Sequence, residues 1–292
     1  MSFVMKAWLN VFVSISVVFI LVEWIVGFEA LGVGVTVGIA AAFVLSGLPH
    51  GAMDLWISRR AGYWTSWRTF AAFHALYIAC AALCFLLFSV WGSLALLAFL
   101  AFSIVHFSDD WSDTIPRPVR LLLSISTITL PFLAHPQDVA DIFSVMLGQE
   151  DGRTEADLEA LSQYLPTVIM ASLGAVAVID WRALALPATV FAGALFLPPL
   201  IFFGLYFAVW HSPLHLKRHA DLIASPSRLS VLIAYAFIAA CFAAAVTAVT
   251  LPAIVSLSVS DHIIRMIFWG LAALTVPHMI LLAKTGVPMK SL

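Results

Sequence analysis

Apolar runs of about 20 residues alternate along the chain with short polar punctuation. That is the length a helix needs to cross roughly 30 Å of hydrocarbon. Windows of this kind predict helices over about 7–28, 31–56, 69–90, 92–111, 117–135, 164–180, 183–197, 199–217, 229–251 and 262–283. The pattern predicts an all-α, polytopic transmembrane helix bundle of about ten spans. The stretch 183–217 is long enough for one helix, but "LPPL" at 197–200 removes two backbone donors and constrains the residue before each proline. A break into two short spans is therefore expected. The polar segment 136–163 is expected to form a short surface helix followed by a turn.

Charge tests the count, because Lys and Arg collect on the cytoplasmic side. With ten spans and an inside N-terminus, the inner segments hold Lys6, Arg59, Arg60, Arg68, Arg117, Arg120, Arg182, Lys217, Arg218, Arg228, Lys284 and Lys290. The outer loops hold only Arg153, with Arg265 just inside the last span. Fusing 183–217 would move the last two basic clusters outside. The split reading, with both termini inside, is the consistent one for a cytoplasmic-membrane protein. The run from Lys6 to Gly27 is long for a signal peptide and lacks an A-x-A site, so it reads as a retained first span.

Composition agrees: 63% of the residues are hydrophobic and 10% charged, against about a quarter charged in soluble domains. No polar stretch is long enough for a separate soluble domain, so residues 1–292 read as one integral-membrane domain. A net charge of −2 gives no footing for nucleic acid. Cys80, Cys84 and Cys241 lie in apolar runs without a CxxC, so no disulfide framework is expected.

Histidine carries the candidate chemistry. On the ten-span topology His50, His106, His211, His215 and His278 come from four helices that all run inward. Each lies about 12 to 19 residues, or some 18 to 28 Å, from the outer end. His74 reaches a similar depth, His219 lies at the inner boundary, and His135 and His262 lie at the opposite face. One intramembrane histidine is commonly an interhelical hydrogen-bonding group; five at one depth point to a metal site. His211 and His215 stand four apart, the spacing that lets one helix offer two ligands to one ion. His50/Asp54 and His106/Asp110 repeat that spacing, so Asp54 and Asp110 are placed to orient imidazoles; a simple helix-end location accounts for them equally. A histidine set without cysteine suits iron, copper, zinc or nickel. A haem needs two facing histidines, and di-iron desaturases need HxxHH boxes, so a mononuclear all-histidine iron site fits best.

In order along the chain, "GLPHGAMD", "HFSDDW", "WHSPLHLKRH" and "PHMILL" resemble the Brp/Blh family of membrane-embedded β-carotene 15,15'-dioxygenases. The resemblance spans nearly the full chain and rests on all four motifs together. It implies cleavage of β-carotene by O2 at the central 15,15' double bond into two all-trans-retinal, hence carotenoid catabolism and retinal biosynthesis. It further implies Fe(2+) held by His50, His106, His211 and His215, with His278 lining the site, and a functional link to a microbial rhodopsin that receives retinal. Trp56, Phe107, Tyr206 and Trp210 beside the motifs are candidate walls for a polyene taken up from the lipid bilayer. Interfacial anchoring accounts for the tryptophans nearly as well. Three other functions stay open: an oxygenase on another carotenoid, a non-catalytic carotenoid-binding relative, and a histidine-lined metal or proton transporter. The last would set its ligands in a column across the bilayer.

Overall fold

The computed structural model describes residues 3–111, 114–148, 164–219, 227–231, 233, 237 and 258–285, with the side chains of residues 3–5 and 50 outside that description. Helices dominate, and no strand occurs among the described residues. The amino-terminal half carries α1 (Phe3–Ile25), α2 (Val33–Gly47), α3 (Pro49–Ala52), α4 (Asp54–Arg60), α5 (Trp67–Val90) and α6 (Gly92–Phe107). Then come α7 (Arg117–Ala134), α8 (Pro136–Leu147), α9 (Leu165–Asp180), α10 (Ala185–Phe196), α11 (Pro199–Leu205), α12 (Ser212–Arg218) and α13 (Val259–Thr285).

Six described helical stretches are long and apolar enough to cross a membrane: Lys6–Ile25, Trp67–Val90, Gly92–Asp110, Arg117–Ala134, Leu165–Phe196 and Val259–Thr285. The expected spans 164–180 and 183–197 fall within one of these, where α9 passes into α10 through the 3-10 turn Trp181–Leu184. The expected break after it is present: α10 ends at Phe196, Leu197 and Pro198 are extended, and α11 begins at Pro199. Expected span 31–56 is interrupted at Leu48 and Met53, so α2 is only an apolar helix of intermediate length. Pro49, which brings no amide hydrogen, sits at the first of these interruptions. Expected span 229–251 lies largely outside the described residues.

The chain clusters into two compact units. The first takes in Met1–Val44 and Ser103–His211, the second Leu45–Phe102 and Ser212–Lys290. In the first, α7 packs on α9 and α10, and α1 packs on α10. Small hydroxyl residues close the α7–α9 contact, where fully buried Ser126 and Ser172 meet at 3.3 Å. Each satisfies its own helix as well, through Leu122 O and Ile169 O, a common way to bury hydroxyls between membrane helices. The segment 136–147 forms the expected short helix, α8, but its apolar face (Val139, Ile142, Phe143 and Met146) is buried. In the second unit α13 packs along α5 and touches α3 and α4. Its Trp269 stacks on Phe88 with ring centres 5.4 Å apart. Met53, Ile57 and Leu281 form a small core there.

Many large apolar side chains lie on the outside. Trp24, Leu76, Met170 and Val178 are all exposed, which in water would be an aggregation hazard and in acyl chains is the ordinary condition. Among the described glycines Gly204 makes a close approach to its neighbours. A Cβ added there would stand 3.0 Å from Phe43 Cβ and 3.4 Å from Ala40 O. Gly204→Val is expected to destabilise the protein by about 1–3 kcal/mol through overpacking. The check is a lowered thermal midpoint in detergent, at unchanged helical content.

Candidate metal centre

The centre is built from two helix ends in the first unit. Helix α6 ends at Phe107 and tightens into the 3-10 turn Ser108–Asp110. Ser108 Oγ donates to Val105 O at 2.6 Å, and Trp111 Nε1 donates to Ser124 Oγ at 2.9 Å, pinning the turn against α7. Asp110 is thereby held inside the protein, 3% exposed.

The opposing element is irregular in a useful way. Beyond α11 the helix widens into a π-helical segment, Tyr206–His211, before α12 resumes regular geometry at Ser212. Proline 213 contributes to this: it brings no amide hydrogen for the carbonyl four residues back, and that carbonyl, Val209 O, accepts from Trp8 Nε1 at 2.9 Å. In a π-helix the repeat runs from residue i to i+5, which turns Tyr206 and His211 toward one acceptor. Tyr206 Oη donates to Asp110 Oδ2 at 2.6 Å, and His211 Nδ1 donates to the same oxygen at 2.8 Å. Regular α-geometry would have pointed the two apart.

That arrangement sets the tautomer. With Nδ1–H held by the Asp110 carboxylate, the His211 lone pair lies on Nε2. His211 Nε2 stands 3.1 Å from His106 Nε2, and both rings are buried. The surroundings are aromatic: Phe107 meets His211 edge to face at 4.9 Å and Tyr206 at 5.4 Å, while Phe207 stacks on His211 at 5.5 Å. Two imidazoles each about 2.1 Å from one ion and at right angles have their nitrogens about 3 Å apart. The pair therefore fits neighbouring ligands of a single transition metal. The chain continues as helix α12, so His215, buried, lies one turn past His211.

The second unit holds a chemically similar group. Asp54, at the start of α4, accepts from His278 Nδ1 at 2.6 Å and from Tyr77 Oη at 2.8 Å. His50 lies in α3, four residues before Asp54. Of the residues singled out from sequence, the first unit brings together His106, His211, Asp110, Tyr206 and Phe107, and the second brings together Asp54 and His278. The two tryptophans stand elsewhere. Trp210 packs on Phe12 at 5.6 Å; Trp56 joins the Met53–Ile57–Leu281 core, with Arg228 5.6 Å above its ring. His74 donates Nδ1 to Phe70 O at 2.9 Å, between the rings of Phe70 and Phe73. His219, expected at a polar boundary, is buried. Tyr77 was not singled out by sequence; its one signal is a polar tip one turn past His74 in the mostly apolar α5.

These features define a class: a multi-pass helical membrane protein whose buried chemistry is imidazole backed by carboxylate and phenol. The Beta-carotene 15,15'-dioxygenase family model matches residues 41–285. The chain belongs to that family, and its function is of the β-carotene dioxygenase kind. No curated protein and no solved structure matches it.

Proposed function

We propose that this protein is an Fe(2+)-dependent oxygenase that cleaves β-carotene at its 15,15' double bond with O2, giving two all-trans-retinal. One C=C becomes two C=O and both oxygen atoms come from O2, so the stoichiometry needs no external reductant. His106, His211 and His215 are proposed iron ligands, with His50 of the GLPHGAMD motif as the fourth. The observation that carries the reading is the buried His106–His211 pair, with Nε2 atoms 3.1 Å apart and the His211 tautomer held by Asp110.

Iron, when bound, supplies O2 activation. The chain's residues do the rest. Asp110 and Tyr206 hold His211 in one orientation, and Phe107 and Phe207 keep water from its ring. Tyr206 and Phe107 also offer a rigid aromatic wall against which a polyene can lie. Apolar outer faces place the protein in a bilayer, taken here as the cytoplasmic membrane, where a C40 hydrocarbon already resides. Retinal released into that bilayer is at hand for a microbial rhodopsin.

Iron removal tests the proposal. Purified protein stripped with a chelator should form no retinal from β-carotene in mixed micelles. Anaerobic reloading with Fe(2+) should restore it, and Zn(2+) should not. Undiminished cleavage by protein shown to be iron-free would overturn the proposal.

A further inference from the structure

Helix α1 meets the π-helical segment that carries His211 at two successive residues. Trp8 Nε1 donates to Val209 O at 2.9 Å, across 201 residues of sequence and two residues before His211. One turn on, the same face of α1 sets Phe12 against Trp210, with ring centres 5.6 Å apart. Phe12 and Trp210 are both buried, at 2% and 1% exposure. All four residues belong to the first unit, and α1 lies before residue 41, where the family match begins.

The acceptor is the carbonyl that Pro213 cannot serve. Within a bilayer, a backbone group freed by proline is satisfied again by a neighbouring helix, and the indole does this here. A tryptophan near a helix start, 37% exposed as Trp8 is, is ordinarily an interfacial anchor. An anchor donates to water or headgroups, whereas Trp8 donates to the main chain of another helix. Its effect there falls on geometry. The bond holds the peptide plane between Val209 and Trp210, directly upstream of His211. Without the indole, the carbonyl would tilt toward another donor and carry the following residues with it. His211 would then lose its alignment on Asp110, which depends on the wide turn over 206–211.

We propose that Trp8 is a positioning residue of the metal centre: its indole N–H fixes the Val209–Trp210 peptide plane and, through it, the aim of His211 Nε2. The effect on iron rests on the iron-enzyme reading; the effect on the His211 ring rests on the hydrogen bond alone.

The test uses full-length protein in detergent and reads two quantities. One is Fe(2+) affinity by titration. The other is the His211 ring tautomer, from nitrogen NMR of metal-free protein with isotope-labelled histidine, its signals assigned by their loss in His211→Ala. Trp8→Phe keeps a ring and deletes the N–H; Trp8→Gln loses the rings but offers an amide N–H at similar reach. Trp8→Phe is expected to bind iron about 10-fold more weakly, the low end of the cost of losing a group that supports a metal ligand. Its His211 signals should shift from the tautomer protonated at Nδ1 to a mixture. Trp8→Gln should recover most of both readouts. Trp24→Phe, at an exposed position of the same helix, should change neither. Wild-type affinity and an unchanged tautomer in folded Trp8→Phe would overturn the proposal. So would a Trp8→Gln protein as impaired as Trp8→Phe, because ring packing would then carry the effect. If Trp8→Phe does not fold, benzothienylalanine at position 8, with sulfur in place of the N–H, makes the same comparison. A His211 ring that responds as expected in a protein binding no iron would keep the positioning role and place the failure with the function proposed above.

Discussion

His211→Ala is expected to abolish retinal formation, with at least a 100-fold loss of turnover and of iron retained through purification. Losing one imidazole removes a ligand nitrogen and also strands the Asp110 carboxylate with a single donor in a buried site. Deleting a donor to a buried carboxylate costs about 1–3 kcal/mol or more, so part of the loss comes from folding. His106→Ala separates the two effects. It removes the nitrogen 3.1 Å from His211 Nε2 but leaves both donors to Asp110 in place. Loss of iron and turnover in His106→Ala, at near-wild-type thermal stability, is the expected result. His135→Ala, whose Nε2 lies 3.2 Å from the Leu195 carbonyl oxygen, should keep most of its activity. Equal loss in all three would point to general destabilisation.

Asp110→Asn is expected to cut iron affinity about 10–100-fold without touching a proposed ligand. An asparagine oxygen in the place of Oδ2 can accept from Tyr206, but the amide group then takes the place of Oδ1, 3.0 Å from His211 Nδ1, as a second donor. The imidazole answers by moving its proton to Nε2, which takes the lone pair away from the metal side. If the ring keeps Nδ1 protonated instead, two donors face each other at a cost of about 1–3 kcal/mol. Either outcome weakens iron binding. Tyr206→Phe, which deletes one donor but leaves the carboxylate, should have a smaller effect. Affinity titrations on the three proteins check this order; wild-type iron affinity in Asp110→Asn would contradict the orienting role.

Much of the architecture was visible in hydrophobic length. Runs of about 20 apolar residues mark helices whatever they pack against, and the "LPPL" break follows from two absent amide hydrogens. What length cannot show is where a helix changes pitch. Span 31–56 reads as continuous because its apolar residues persist through Leu48 and Met53, where the helix is interrupted. The π-helical segment 206–211 is invisible for the same reason: its residues continue the apolar run, and the wider turn depends on tertiary pairing to Asp110 together with Pro213.

The polar side chains of the candidate centre could be picked out in the sequence, but their pairing could not. His106/Asp110 and His50/Asp54 look like partners on one α-helical face, but α6 ends at Phe107 and the interruption at Met53 breaks the second pair. Each carboxylate serves a histidine from far along the chain, 101 residues away for His211 and 224 for His278. Such pairings depend on helix packing, which one-dimensional spacing does not encode. Tryptophan adjacency is likewise silent on packing. Trp56 and Trp210 flank histidines in sequence, yet helix periodicity turns them toward other neighbours.

The most direct test is pigment analysis of bacteria that accumulate β-carotene and express either the wild-type protein or His211→Ala at equal membrane levels. The account predicts that wild-type cells lose β-carotene and gain retinal as the cleavage product, while His211→Ala cells keep their β-carotene. Unchanged β-carotene in wild-type cells, from protein shown to be folded and iron-loaded, would contradict central cleavage of this substrate.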